Sequence, residues 1–220
     1  MDKVWEKIHS EKEWGKYPSI DVVSFVARNY YSSDRKNCKI LDYGCGQGAH
    51  TWFLAREGFD TYAFDGAPSA VTKAKEELDK ANLKADFKVM LGNNLEYENN
   101  FFDCLIDSAV VYANRTDDIK IMLKEIYRVL TSGGKTISTG LFNTKSTGFG
   151  TGQLIEKNTY KDATEGALQG VGLIHFFERD EIVELWSEAG FINITVDEDI
   201  ITRNNGQITL GSDIVTAQKP

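Results

Sequence analysis

Leu41-Asp42-Tyr43-Gly44-Cys45-Gly46-Gln47-Gly48 is the stretch on which the fold turns. An apolar strand, Lys39 to Tyr43, runs into three alternating glycines, and a helical run, Thr51-Trp52-Phe53-Leu54-Ala55, follows at once. Glycine lets a backbone pass close to a ligand and take angles closed to other residues. The free N–H groups that open the next helix favour an anionic or polar ligand. A dinucleotide fingerprint spaces its glycines G-x-G-x-x-G. Here they run G-x-G-x-G, with Asp42 just before them, which argues against a nicotinamide enzyme.

Outward from this turn the chain alternates strand and helix. Thr61 to Phe64 reads as a second strand ending on Asp65, and Pro68-Ser69 opens a helix. Phe87 to Leu91 reads as a third strand. Phe102 to Val111 reads as a fourth, apolar enough to be central in a parallel sheet. A helix over Asp117 to Leu130, the turn Gly133-Gly134 and a fifth strand, Lys135 to Leu141, follow. Arg179 to Ala189 reads as a helix. Phe191 to Val196 and Ile208 to Thr216 read as strands, with Asn205-Gly206 as the hairpin signal between them. The pattern predicts an α/β fold: a seven-stranded, mostly parallel twisted sheet with helices on both faces and a C-terminal antiparallel hairpin.

With Asp65 ending the second strand and Arg128-Val129-Leu130-Thr131-Ser132-Gly133-Gly134 before the fifth, the chain resembles the class I S-adenosylmethionine-dependent methyltransferase family. The resemblance covers roughly residues 38 to 141 and extends loosely beyond 178. Thr131-Ser132 departs from the family's usual Lys-Pro. It implies S-adenosylmethionine as cofactor. Gly44, Cys45, Gly46 and Gly48 would lie along its methionine and ribose, and Asp42 would face the methionyl ammonium. Asp65, with Gly66 beside it, would take the ribose hydroxyls. Asn93 falls where the family commonly has an Asp near the adenine amino group. Asp107 lies where cofactor and acceptor would meet, or is a strand-end polar group satisfied by backbone.

The 220 residues fit a single domain, 1–220. Trp14 and Tyr17 lie in an N-terminal segment, residues 1–31, that reads as a lid over the cofactor or as a staple for the helix after Pro18. Residues 142–177 are rich in Gly, Thr and Asn with no clean period. A loop of that length in a compact domain is usually functional, so it reads as an acceptor-loop insertion. His175 in it is the candidate general base. Tyr112 is a candidate for the acceptor pocket, His50 reads as a helix-start polar group, and His9 has no assigned partner.

Lys and Arg number 25 against 33 Asp and Glu, a net charge of −8, and no basic cluster concentrates anywhere. Such a chain repels a phosphate backbone, which argues against a nucleic-acid substrate. Three cysteines, Cys38, Cys45 and Cys104, with no CxxC spacing, indicate neither a disulfide framework nor a metal site. The apolar runs are too short to span a bilayer, and the charged start, MDKVWEKIHSEKEW, has no secretory h-region. The expectation is a cytoplasmic monomer or homodimer that methylates oxygen or nitrogen of a small-molecule acceptor, in line with the sulfonium. A cofactor-binding, non-catalytic subunit or regulator of a larger complex is the alternative.

Overall fold

In the computed structural model, which describes residues 4–220, one seven-stranded sheet organises the chain. In chain order come α1 (Val4–Glu11), α2 (Ile20–Tyr30), β1 (Lys39–Tyr43), α3 (Ala49–Arg56), β2 (Asp60–Asp65) and α4 (Pro68–Lys80). Then follow β3 (Asp86–Val89), β4 (Phe102–Ser108), α5 (Thr116–Val129) and β5 (Leu130–Phe142). A small subsheet has β6 (Gln153–Glu156), β7 (Thr159–Lys161) and β8 (Leu173–His175). Last are α6 (Arg179–Ala189), β9 (Ile192–Arg203) and β10 (Ile208–Gln218).

The strand order is β3-β2-β1-β4-β5-β10-β9. β3 to β5 pair in parallel, and β10 runs antiparallel between β5 and β9. Alternation along the strands sends side chains to opposite faces. Ile40, Cys104, Ile106 and Ile137 pack with α2 and α3 through Val22, Phe25, Val26, Phe53 and Leu54. Leu41, Tyr43, Leu105 and Leu141 pack with α5 and α6 on the other face. In α5 the buried Ile119, Met122, Leu123, Ile126 and Val129 recur at helical spacing, which fastens it to the sheet. Ser19 caps α2 by accepting from the Val22 N–H at 3.3 Å.

Several elements differ from the sequence reading. β3 ends at Val89, so Met90 and Leu91 leave the sheet. β4 ends at Ser108 rather than Val111, because Ala109 turns with φ 58° and a 3₁₀ turn, Val111–Ala113, follows. β5 begins already at Leu130. Residues 142–177 are not an unstructured loop: they contain the antiparallel subsheet β6-β7-β8. In the N-terminal segment, residues 4–11 form a helix of their own packed on α4, while Ile20–Tyr30 belongs to the layer on the sheet. All three cysteines are free and buried. No helix among the described residues is long and apolar enough to cross a membrane.

No helix connects β3 to β4, and Arg128 holds that connection in place. Its guanidinium donates to the carbonyls of Leu95 (2.9 Å) and Tyr97 (2.8 Å) and to the Asn99 side chain (2.9 Å). Glu125 orients it through a bidentate pair at 2.7 and 2.8 Å. Arg128→Ala should destabilise the fold by about 1.5–3 kcal/mol, the worth of hydrogen bonds to a charged group. Thermal denaturation checks this; an unchanged midpoint would show that the connection holds itself.

Candidate active site

The glycine turn is built around one carboxylate. β1 delivers the chain to Gly44, and the Cys45 N–H donates to the Phe64 carbonyl at 2.8 Å. The Gly46 N–H donates to Asp65 Oδ2 at 2.9 Å, and the Ala67 N–H to Asp65 Oδ1 at 2.8 Å. Asp65 is 8% exposed, yet it reaches the surface of a cavity. A carboxylate accepts about four hydrogen bonds, so acceptor capacity remains for a ligand.

That cavity, of about 480 Å³, lies beyond the carboxyl ends of β1, β2 and β4. One half is the polar turn: Gly44, Cys45, Gly46, Asp65, Gly66 and Asn93. The other is largely apolar, with Tyr112, Met122, Phe142, Leu168, Val171 and Leu210. The halves meet at Ser108 and Ala109. No lysine or arginine lines the cavity among the described residues.

The family pattern described as a methyltransferase domain matches residues 40–134, which span β1 to the start of β5. Over that stretch the chain is similar to methyltransferase domains. It is similar to a ubiquinone biosynthesis O-methyltransferase of Pelagibacter ubique, 31% identical over 105 residues, covering 47% of this chain and 42% of that protein. It is also similar to a magnesium-protoporphyrin O-methyltransferase of Rhodobacter capsulatus, 31% identical over 108 residues, covering 48% and 47%. The chain thus spans under half the length of these curated relatives. Among solved structures, a SAM-dependent methyltransferase from Methanosarcina mazei superposes with a TM-score of 0.69 at 20% identity, over 92% of this chain and 99% of that one. Phosphoethanolamine N-methyltransferase 2 of Haemonchus contortus, solved with S-adenosyl-L-methionine, gives 0.69 at 18% identity, over 99% and 56%. These likenesses show the fold.

In this methyltransferase fold the expected site residues separate into two sets. Trp14, Gly44, Cys45, Gly46, Asp65, Gly66 and Asn93 all line the cavity. Asp42, Gly48, Asp107 and Tyr17 do not. Asp42 is buried behind the turn, accepting from the Thr51 hydroxyl at 2.5 Å. Burial raises its pKa, against the pull of His50 and Thr51. Gly48 serves packing: a Cβ there would sit 2.8 Å from that of Ala74, so the glycine lets α3 approach α4. Tyr17 is 81% exposed and away from the cavity. Asp107 is fully buried between its register partners Tyr43 and Ser138. Its Oδ1 accepts from Val110 (3.2 Å) and Val111 (3.3 Å), capping the turn after β4, while Oδ2 has no partner. Burial pushes its carboxyl up to about 7, against the hydrogen bonds that favour the anion.

His175, read as the candidate base, does not line the cavity. It is 0% exposed and both ring nitrogens are engaged. A carboxylate only accepts, so Nε2–H donates to Glu181 Oε1 at 3.2 Å, and Nδ1 shares a hydrogen bond of 2.7 Å with the Thr159 hydroxyl. Its ring packs edge-on against Phe177, with centroids 4.6 Å apart. Glu156, next to Thr159, accepts from the Thr116 N–H at 2.7 Å. The result is a polar fastening between the subsheet and the starts of α5 and α6.

Within the N-terminal segment read as a lid or staple, the sequence leaves His9 without a partner. Trp5, Ile8 and His9 share one face of α1 at i, i+3, i+4 spacing, the signal that reveals a covering helix. Trp5, His9 and Trp14 line the cavity. Gln47, inside the glycine turn, holds this cover. Its Oε1 accepts from the Trp14 N–H at 2.9 Å, and its Nε2 donates to the Lys12 carbonyl at 2.8 Å. Lys73 of α4 donates to the His9 carbonyl at 2.5 Å. His50 also lines the cavity, but its Nε2 accepts from the Ser19 N–H at 3.2 Å.

Two measurements follow. His175→Ala should lower the thermal midpoint and speed amide exchange in β6 to β8, because it leaves Thr159 and Glu181 without their buried partner. Exchange confined to other elements would contradict the fastening. For Asp107, the folded pKa of about 7 lies above the ordinary carboxylate value, so ionisation penalises the folded state as pH rises from about 4 to 7. Asp107→Asn should therefore melt higher than wild type at pH 8 and lose that margin by pH 4; a gap independent of pH would refute the buried-acid account.

Proposed function

We propose that this chain transfers a methyl group from S-adenosylmethionine to a small, largely apolar acceptor that carries no anionic group. The observation that carries this is the two-sided cavity: a polar glycine turn meets an apolar pocket, with no cation in either wall among the described residues. The residues fit the cofactor. Gly46 takes φ 52°, and an added side chain there would grow toward His9 across the turn. Asp65 keeps acceptor capacity open to the cavity, and His9 stands in its wall. Polar groups converging on a largely apolar cleft mark a ligand site.

In this reading Gly44, Cys45 and Gly46 hold the methionyl and ribosyl parts by backbone, Asp65 accepts from the ribose diol, and Asn93 stands at the adenine end. Gly66 supports the Asp65 corner, and Trp14 closes over it. S-Adenosylmethionine supplies an activated methyl group on a sulfonium. The protein aligns an acceptor lone pair near Ser108 and Ala109 and keeps water out with Tyr112, Phe142 and Leu168. With His175 engaged elsewhere, Asp118 is the carboxylate at the acceptor end, placed to receive a proton from a hydroxyl or ammonium acceptor. The O-methyltransferase names of the relatives from Pelagibacter ubique and Rhodobacter capsulatus support oxygen as the accepting atom. The Haemonchus contortus neighbour is named for a phosphorylated acceptor, and this cavity offers no cation to meet a phosphate. A cytoplasmic chain that binds no nucleic acid is supported by the free, buried cysteines and the net charge of −8.

Release of S-adenosylhomocysteine over a panel of phenols, catechols, amines, carboxylates and phosphate esters tests the assignment. Turnover should appear with neutral or cationic apolar acceptors; a phosphorylated best substrate would overturn the acceptor class. Asp65→Ala should weaken S-adenosylhomocysteine binding by about 1.5–3 kcal/mol in calorimetry. Unchanged affinity in a folded variant would remove Asp65 from the ribose.

A further inference from the structure

His9 is the buried titratable side chain at the cavity that the proposed reaction leaves unused. It is 6% exposed, and its ring lies between those of Trp5 and Trp14, with centroids 6.1 and 5.8 Å away. Packing alone does not explain a histidine there, since an aromatic hydrocarbon would fill the same slot without a polar cost. Its Nδ1 is buried with no hydrogen-bond partner, a cost that hydrocarbon packing would not carry. The ring also has a direction. The position a Cβ would take on Gly46 lies 3.4 Å from His9 Cε1 and 4.0 Å from Nε2. The Cε1–Nε2 edge therefore faces the glycine turn, and Nε2 is the nitrogen nearer to it.

The surroundings say what that edge can meet. Asp65 and Glu6 are the anions around it and favour its charged form, while Lys73 opposes it. Burial outweighs these and lowers its pKa, so the ring is neutral near pH 7. A neutral imidazole has one donor and one acceptor. A hydroxyl is likewise both, so the ring complements a sugar diol better than an anion. Asp65, which accepts only, stands on the other side of the same turn. The helix bearing His9 is held to that turn by Gln47 and to α4 by Lys73, so the ring is pre-positioned rather than free to swing.

We propose that His9 is a cofactor-contacting residue: from the covering helix, its imidazole engages a ribosyl hydroxyl of the ribonucleoside ligand seated on Gly46 and Asp65. This rests on the reading of the cavity as an S-adenosylmethionine site. It makes the covering helix, already held to the turn, part of the ribose site together with Asp65.

Calorimetry with the whole chain tests it, using S-adenosylhomocysteine and its 2′-deoxy and 3′-deoxy ribosyl analogues as probes. His9→Phe keeps the aromatic packing and removes the nitrogens; His9→Gln keeps a donor and an acceptor. His9→Phe should weaken S-adenosylhomocysteine about tenfold, while His9→Gln stays within about threefold of wild type. One deoxy analogue should bind wild type about tenfold more weakly than the parent, yet lose little further affinity in His9→Phe, because the same contact is already gone. Wild-type affinity in His9→Phe would overturn the proposal. So would equal further losses for parent and deoxy probes, which would mean that the ring acts by packing. If wild type itself fails to bind S-adenosylhomocysteine, the cofactor reading falls and this proposal with it.

Discussion

Two backbone amides, from Gly46 and Ala67, converge on the carboxylate of Asp65, and the cleft depends on that convergence. The turn after β1 has no regular hydrogen-bonding pattern of its own, so a neighbouring strand has to satisfy its N–H groups. Asp65 does this from the end of β2, and the Phe64 carbonyl takes the Cys45 N–H beside it. The two strands are parallel neighbours in register, Tyr43 against Phe64, which brings both ends to the same level. A side chain that shapes the turn is thereby also exposed to whatever the turn binds.

From this corner the rest of the cleft is assembled by contacts that reach across the chain. Gln47 projects from the turn to hold residues 12–14, and Lys73 holds the end of α1 from α4. On the far side the wall comes from the end of β5 and from residues 167–171 beside the subsheet. The polar half is therefore local in sequence apart from its cover, and the apolar half is drawn from distant segments. This division puts the polar wall, apart from its cover, inside the stretch that matches the methyltransferase-domain pattern, residues 40–134.

It also explains what was legible beforehand. The glycine spacing, the acid at Asp65 and the apolar run of β4 are short, dense signals, and they identified the sheet and the polar wall. Long-range structure left weaker traces. β6, β7 and β8 have 4, 3 and 3 residues, too few for a period-two pattern to stand out among glycines and threonines. His175 drew attention because a histidine beside a glycine-rich loop resembles a base, but nothing in sequence reports that Thr159 and Glu181 occupy both its nitrogens. Tyr17 was read as a cover because it is aromatic and close to Trp14, yet the chain turns it outward after the point where Gln47 grips residue 14. His9 was passed over because eight residues of helix with mixed charge look solvated until their shared face is set against α4.

The fastening through Glu156, Thr159, His175 and Glu181 has a consequence for how such a molecule changes over generations. It anchors the subsheet by its edge, at the starts of α5 and α6, and leaves the chain between β7 and β8 out of the anchor. That intervening stretch carries Ala167, Leu168 and Val171 into the pocket. Within it Ala163 and Leu168 are buried in the core, while Thr164, Glu165, Gln169 and Gly170 are exposed, so the exposed positions are the ones free to vary. The shape of the apolar wall is thus set by a few side chains on a segment whose two ends are fastened elsewhere.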